Sequence, residues 1–365
     1  MISYKTARPF LMMFSPETAH CLAILGLKLG LAGRNRTPDD PILATTVLGL
    51  NFPNPVGVAA GFDKGAEVPD AMLALGFGFT EAGTVTPRPQ PGNPKPRLFR
   101  LEEDEGVINR LGFNSEGLAP YVARIKARKA RLEKQGGAKG IFGANVGKNR
   151  DTEDGAADYA IGIAAVANDA DYLVCNISSP NTPGLRSLQG REQLKDLLTR
   201  VLAARAQAIA PGAKVPPLFA KVGPDLDLLA IEDIAQVALE TKVDGLIIGN
   251  TTIDRPAGLK SPEAPEAGGL SGKPLTEKAR WCIGEMYKAV GGLIPIVGCG
   301  GIMNGTDAYR AIRAGASLVQ LYSALVFHGP ELVVAIKRDL AAHLRRDGFR
   351  HVADAVGADH RSLTS

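Results

Sequence analysis

Polar residues and glycines follow a series of short apolar runs, each at the point where a run ends. Amides, hydroxyls and two lysines dominate these positions, without a pair of carboxylates or a His/Cys cluster at metal-ligand spacing. Amide side chains offer donors and acceptors to the edge of a heterocycle, and a lysine neutralises a carboxylate. We therefore expect a pocket for a planar anionic heterocycle and no metal ion. The positions concerned are residues 59–64, 83–84, 145, 176–182, 221, 250–252, 298–301 and 322–323.

The glycine-rich segment at residues 298–301 is a candidate phosphate site together with Tyr322 and Ser323. In a barrel of alternating strands and helices, the loops after the seventh and eighth strands commonly bind phosphate, because glycines let backbone N–H groups approach an anion. Tight turns also require glycine, so a purely structural role is the alternative. The position of the segment favours a phosphorylated cofactor.

Lys221 and Ser179 each allow two interpretations. Lys221 is either an imine-forming nucleophile or a cation beside N1 and O2 of a flavin. A serine hydroxyl is a weak base, so Ser179 could accept a proton only if it passed its own proton through Thr182 or an ordered water. An isolated serine at this position would be a turn hydroxyl. The surrounding amides favour the flavin and the base.

The elements that must position these residues alternate regularly from residue 55 onward, as is typical of βα units around a parallel sheet. Eight units favour an α/β fold of the closed (β/α)8 TIM-barrel type. Strands are predicted at residues 56–60, 79–84, 141–146, 172–177, 218–222, 244–249, 295–298 and 317–321. Helices are predicted at residues 66–75, 115–134, 153–168, 192–209, 227–241, 275–290, 306–314 and 330–346, with Asp151, Asp225 and Asn304 as caps.

Two long segments, residues 85–114 and 250–273, each follow a predicted strand. In a barrel they therefore lie on the C-terminal face, where active-site loops and lids belong. Solvent-exposed loops without a function are the alternative.

Residues 1–40 do not fit the repeat, so we expect a short helical segment there and a barrel domain at residues 41–365. An apolar run at residues 10–14 precedes Ser15, which can cap a second helix that begins at Pro16. His20 and Lys28 interrupt the second apolar stretch, which is too short to span a bilayer. The two helices either lie on a membrane surface or cover one end of the barrel.

The composition excludes several classes of protein. Among 365 residues, 45% are hydrophobic and 22% are charged, which is typical of a globular protein. Lys and Arg exceed Asp and Glu by 42 to 38, a net charge of +4 that does not suggest a nucleic-acid partner. The four cysteines form no CxxC pair, which favours a reducing compartment. Without a recognisable signal or transit peptide, a cytoplasmic location is expected.

The motifs along the chain resemble those of class 2 dihydroorotate dehydrogenases in order and in spacing. They cover essentially the whole chain, and the serine at position 179 distinguishes class 2 from class 1, which has cysteine there. The matching motifs are AAGFDK at 59–64, GNPKPRLFR at 92–100, NRLGFN at 109–114, NISSPNT at 176–182, KVGPD at 221–225, NTT at 250–252, GGLSG at 268–272 and YS at 322–323.

The resemblance implies that the chain oxidises (S)-dihydroorotate to orotate in pyrimidine (UMP) biosynthesis, with Ser179 as the base that removes the C5 proton. It implies one FMN per chain, bound by Ala60, Gly61, Phe62, Asp63, Lys64, Thr84, Asn145, Asn176, Lys221, Gly249, Gly272, Gly301, Tyr322 and Ser323. It implies substrate contacts from Lys64, Asn109, Arg110, Leu111, Gly112, Phe113, Asn176, Asn181, Asn250 and Thr251. Gly249 departs from the family, which usually has Thr or Ser there, so a hydroxyl contact to the flavin is missing.

The same resemblance implies a membrane quinone as final electron acceptor and peripheral lipid contact through the N-terminal helices, at the cytoplasmic face of the cell membrane. The quinone route would be lined by Phe14, His20, Arg100 and Tyr322. The alternatives are a soluble class 1 enzyme, a lyase that forms an imine on Lys221, and a silent flavin-binding or membrane-scaffold protein. Ser179 and the N-terminal segment argue against the first, and the polar ends of all eight strands argue against the last.

Overall fold

The computed structural model describes residues 4–137, 140–182 and 184–361. Its strands are β1 (Thr45–Val47), β2 (Leu50–Phe52), β3 (Val56–Asp63), β4 (Phe79–Val85), β5 (Leu98–Leu101), β6 (Gly106–Asn109), β7 (Ile141–Val146), β8 (Tyr172–Asn176), β9 (Leu218–Val222), β10 (Gly245–Ile248), β11 (Gly269–Gly272), β12 (Ile296–Cys299) and β13 (Ala316–Leu321). Its α-helices are α1 (Tyr4–Met12), α2 (Pro16–Lys28), α3 (Pro69–Ala74), α4 (Leu118–Lys134), α5 (Gly155–Val166), α6 (Arg191–Ala208), α7 (Leu228–Thr241), α8 (Thr276–Ala289), α9 (Gly305–Arg313), α10 (Ala324–His328) and α11 (Leu332–Arg346).

Eight parallel strands close into a barrel in the order β10-β12-β13-β3-β4-β7-β8-β9, which confirms the predicted (β/α)8 fold. All eight predicted strands are present within a few residues of their expected limits, and each predicted helix is also found. The strands read as apolar runs because they are buried on both faces, by the helices outside and by side chains inside the barrel.

Large and small residues alternate in the lowest layer of the barrel interior. Phe79, Tyr172 and Phe219 pack edge to face, with ring centroids 6.3 and 5.5 Å apart in successive pairs. Gly57, Gly143 and Gly245, each on the strand next to one of the rings, make room for them, because a Cβ atom at any of the three would lie within 2.4 Å of the facing ring. The bottom of the barrel is therefore a filled core and not a pore.

The hairpin β1–β2 closes this end of the barrel and was not predicted from the sequence. Phe52 on β2 packs against Phe79 with ring centroids 5.4 Å apart. The turn residues Leu48 and Gly49 both have positive φ, at 51° and 72°, as a tight two-residue hairpin turn requires. The signal was an alternating apolar pattern on either side of a Leu-Gly pair.

Two of the three predicted helix caps were wrong. Asn304 caps α9 as predicted, but Asp154 caps α5 and Asp227 caps α7, in place of Asp151 and Asp225. Asp151 instead pairs with Arg88 at 2.6 Å. Asp225 lies two residues before the true cap and binds Arg186, Lys278 and the loop after β10.

The two long segments after β4 and β10 form one antiparallel sheet, in the order β11-β6-β5. The register pairs Gly269 with Asn109 and Gly272 with Gly106. Segments that are more than 150 residues apart thus cover the C-terminal face of the barrel together. The alternative of solvent-exposed loops is wrong for these parts of the chain.

The N-terminal segment forms two helices, as predicted, and Ser15 caps α2 by accepting a hydrogen bond from the backbone N–H of Thr18. The Tyr4 hydroxyl on α1 donates to the carbonyl of Val326 at 2.7 Å, close to the end of β13. The helices therefore lie at the C-terminal end of the barrel. No helix among the described residues is long and apolar enough to cross a membrane.

Candidate active site

One cavity extends from the C-terminal ends of the barrel strands to the N-terminal helices, with an empty volume of about 1740 Å³ including its mouth. It brings together most of the predicted site residues. Those that line it are Ala60, Gly61, Phe62, Lys64, Thr84, Asn109, Leu111, Gly112, Phe113, Asn176, Ser179, Asn181, Lys221, Asn250, Thr251, Gly272, Gly301, Tyr322 and Ser323. The predicted residues Asp63, Arg110, Asn145 and Gly249 are not among the residues of its wall.

Asp63 and Arg110 are close to the cavity but turn their charged groups elsewhere. The Asp63 carboxylate accepts hydrogen bonds from the backbone N–H groups of Glu67 and Val68, both at 2.8 Å, and burial raises its pKa. It therefore shapes the turn after β3. The Arg110 guanidinium pairs with Glu266 at 2.7 Å and lies over the ring of Phe99.

Gly249 lies behind the cavity wall at the end of β10, with a φ of +117°. A Cβ atom at this position would lie 1.7 Å from the carbonyl oxygen of Cys299, so this backbone has no room for any side chain. The absence of a side-chain hydroxyl at position 249 therefore follows from the close approach of the ends of β10 and β12.

Lys64 and Lys221 supply the positive charge of the cavity. Burial lowers the pKa of the Lys64 ammonium to about 8, and the Lys64 Nζ donates to the carbonyl of Gly61 at 2.8 Å. Lys221 is 3% exposed, and the one hydrogen-bond partner of its Nζ in the described part of the chain is the Cys299 sulfur at 3.7 Å. Burial raises the pKa of the Cys299 thiol. An ammonium with so weak a partner is poised for an anionic or electron-rich ligand.

Ser179 lies in the loop after β8 and is 7% exposed. Its hydroxyl oxygen accepts a hydrogen bond from the backbone N–H of Asn181 at 3.2 Å. The Asn181 amide in turn donates to the carbonyl of Asn109 at 3.0 Å, which joins this loop to the β5–β6 segment. The Thr182 hydroxyl is buried and has no hydrogen-bond partner among the described residues.

The other end of the cavity is apolar and lies beneath α1 and α2. His20 packs edge to face on Phe62 with ring centroids 5.5 Å apart, and Phe62 packs in the same way on Tyr322 at 5.5 Å. Burial, aided by the positive charge of Lys64, lowers the His20 pKa to about 3, so the imidazole is neutral. The Arg100 guanidinium donates to the carbonyls of Met12 and Phe14, at 3.2 and 2.6 Å.

His20, Arg100 and Tyr322, predicted for the quinone route, line this end of the cavity, whereas Phe14 does not. An ion pair that was not predicted from the sequence attaches α2 to the segment before β5. The buried Arg97 guanidinium contacts both carboxylate oxygens of Glu17, at 2.7 and 3.2 Å, and the carbonyls of Pro91 and Asn93. The pairing of residues 80 positions apart leaves no local signal in the sequence.

Comparisons with known proteins identify the family of the chain. The family model for dihydroorotate dehydrogenase matches residues 42–344. A protein of Azorhizobium caulinodans named dihydroorotate dehydrogenase (quinone) is 60% identical over 98% of this chain and 99% of its own. The mitochondrial protein of that name from Mus musculus is 51% identical over 96% of this chain and 88% of its own.

A solved structure shares the fold over nearly the whole chain. The crystal structure of the Eimeria tenella enzyme in complex with ferulenol has a TM-score of 0.93 and 42% identity, and the match covers 95% of this chain and 96% of the other. The family inferred from the motifs is thereby confirmed. The chain belongs to the dihydroorotate dehydrogenase family and, within it, to the quinone-type class 2 enzymes.

Proposed function

We propose that the chain oxidises dihydroorotate to orotate with FMN as hydride acceptor and a membrane quinone as final electron acceptor. The relatives at 60% and 58% identity are named for this reaction with quinone. The observation that carries the proposal is the cavity itself, which has a polar end beside Ser179 and Lys64 and an apolar end beneath the N-terminal helices.

The residues of the polar end fit FMN. Lys221 is a buried cation without a strong partner among the described residues, as the N1 and O2 edge of a flavin requires. Gly272 and Gly301 border the cavity with backbone alone, and the Ser323 hydroxyl lies 2.8 Å from that of Ser271, which suits a phosphate group. A bound FMN supplies the hydride acceptor for C6 of dihydroorotate.

The residues of the chain bind and deprotonate the substrate. Lys64 binds the carboxylate, while the amides of Asn181 and Asn250 bind the polar edge of the ring. Ser179 removes the C5 proton and passes its own hydroxyl proton through Thr182 or an ordered water toward solvent, since neither hydroxyl can hold a second proton. The Thr182 hydroxyl, buried and unpartnered among the described residues, supports this path.

The N-terminal helices form the membrane-facing part of the enzyme and admit the quinone. Their outward side chains form an apolar surface on which Phe10, Met13, Leu25, Leu29 and Leu31 are 50% to 81% exposed. A large exposed apolar surface beside the mouth of a cavity suits peripheral contact with lipid. The division into residues 1–40 and 41–365 follows the same logic, with the membrane face at the cytoplasmic side of the cell membrane.

The proposal is tested by mixing the flavin-loaded protein anaerobically with dihydroorotate and recording flavin absorbance. Bleaching, followed by recovery when quinone is added, is the expected result. Ser179→Ala should bleach more slowly by about a hundredfold or more, the usual loss on removal of a general base. Ser187→Ala, at an exposed position beyond the same loop, is the control. If the wild-type flavin is not reduced, the substrate is wrong; if the Ser179 variant is unimpaired, the base is wrong.

A further inference from the structure

A fully buried carboxylate, Glu81 on β4, lies inside the barrel below the cavity and takes no part in the chemistry described above. Three donors converge on its two oxygens. They are the Asn145 amide at 2.7 Å, the Tyr172 hydroxyl at 3.1 Å and the Gln320 amide at 2.6 Å. No lysine or arginine pairs with it in the described part of the chain, so these donors are its compensation for burial. The sequence signal for it is a single charge within an apolar strand.

A chain of hydrogen bonds leads from Glu81 upward to the cavity wall. Asn145 donates to Glu81 and accepts at 2.6 Å from the Thr84 hydroxyl, which accepts at 2.7 Å from the Asn176 amide. Asn176 accepts at 2.6 Å from the Ser178 hydroxyl. The Ser178 oxygen accepts at 2.7 Å from the amide of Asn250.

Every donor in this chain points toward Glu81. A carboxylate only accepts hydrogen bonds, so the adjacent Asn145 must present its NH2 group downward and its carbonyl upward. That carbonyl requires the Thr84 hydroxyl to donate, so the Thr84 oxygen must accept from the Asn176 amide. The Asn176 carbonyl in turn accepts from the Ser178 hydroxyl, whose oxygen accepts from the Asn250 amide. With Glu81 as the end point, the direction of every hydrogen bond in the chain is determined.

The direction decides what Asn176 and Asn250 offer to a ligand. Both line the cavity. Each side-chain amide uses one N–H in the chain. The Asn176 carbonyl accepts from the Ser178 hydroxyl at 2.6 Å, and the Asn250 carbonyl accepts from the Thr251 backbone N–H at 2.8 Å. The second N–H of each amide is left for the cavity. The wall therefore presents donors, which suit the carbonyl and carboxylate oxygens of a pyrimidine.

We propose that Glu81 is a positioning residue that makes Asn176 and Asn250 hydrogen-bond donors toward the ligand. The inference rests on the proposed function for the choice of orotate as ligand. Glu81 acts through the chain from about the middle of the barrel and does not touch the ligand itself.

Three variants test this role, with orotate affinity measured on flavin-loaded protein. In Glu81→Met, no acceptor remains for the Asn145 amide. The direction of the chain is then no longer fixed, and orotate binding should weaken about tenfold or more, as expected when a buried donor loses its acceptor.

Glu81→Gln keeps an acceptor for Asn145. Its amide can direct the carbonyl toward Asn145 and the NH2 group toward Gln320, whose Oε1 has no hydrogen-bond partner among the described residues and can accept once that amide turns over. Orotate affinity should therefore stay within about threefold of the wild type, a change of less than about 1 kcal/mol. A loss of affinity in Glu81→Met that Glu81→Gln does not share would show that the acceptor, and not the negative charge, positions the chain.

Tyr172→Phe is the matched control, because it removes one donor to Glu81 that lies outside the chain of hydrogen bonds. Its melting temperature should fall while its orotate affinity stays at the wild-type value. Wild-type affinity in Glu81→Met, or a Glu81→Gln variant that binds orotate no better than Glu81→Met, would overturn the proposal. Failure of the wild type to bind orotate would instead overturn the proposed substrate, so the two failures are distinguishable.

Discussion

Lys64 should make the affinity for orotate depend on pH in a direction set by its surroundings. Burial lowers the pKa of its ammonium to about 8, against the opposing effect of the Glu17 carboxylate. Only the protonated form offers a charge to the carboxylate of the ligand. The apparent Kd should therefore be nearly constant below about pH 8 and rise about tenfold for each pH unit above it.

Titration of the flavin absorbance with orotate, from about pH 6.5 to about pH 9.5, measures this dependence directly. Lys64→Arg is the control, because a guanidinium stays protonated across this range and its Kd should not rise. A wild-type Kd that stays flat to the upper end of the range would refute the reasoning. It would mean either that Lys64 does not meet the carboxylate or that the pKa of Lys64 in the free site lies above the range of the titration.

Three further predictions concern the frame of the site. Gly249→Ala should lower the free energy of unfolding by about 3 kcal/mol or more, the upper end of the cost of a strained backbone, because its Cβ atom would meet the Cys299 carbonyl. Gly258→Ala is the control, because Gly258 has a φ of +90° but open space around it, so this variant measures backbone strain without a clash. Thermal unfolding of both variants gives the two costs. Arg97→Ala should lower the free energy of unfolding in denaturant by about 3 kcal/mol, because it leaves the partly buried Glu17 carboxylate without its buried partner. Lys95, which is 68% exposed and also pairs with Glu17, is the control, and Lys95→Ala should lower the free energy of unfolding by less than about 1 kcal/mol. Met13→Ser with Phe10→Ser should weaken sedimentation with anionic vesicles, and Leu293→Ser, equally exposed but before β12 at the opposite end of the barrel, should not.

The barrel could be predicted because each βα unit carries its own local signal. A strand buried on both faces must be apolar throughout, and the polar residues at its end must face the C-terminal opening, so Lys221 and Asn176 were placed correctly from order alone. Helix caps were less certain, since several aspartates compete within a few residues. Asp227 caps α7 because Asp225, two residues earlier, is held by Arg186 and Lys278.

The remaining features depend on contacts between residues distant in sequence. The pairing of β6 with β11 and the ion pair of Arg97 with Glu17 both join segments whose own patterns resemble ordinary loops or surface charge. Glu81 is different, because one charge in an apolar strand is visible in the sequence. Its partners Asn145, Tyr172 and Gln320 come from three other strands, so its role becomes clear only when the barrel closes.

The contacts of Glu17 show how the two ends of the cavity are mechanically joined. Glu17 belongs to α2, which borders the apolar end, and its partner Arg97 also binds the carbonyls of Pro91 and Asn93. The Asn93 amide donates to the carbonyls of Arg110 and Asn181, at 2.9 and 3.3 Å, in the two segments that cover the polar end. A displacement of α2 large enough to widen the apolar entrance would strain this path. The helices therefore support the segments of the proposed substrate site as well as the proposed quinone entrance, because Arg97 binds α2 directly and reaches those segments through Asn93.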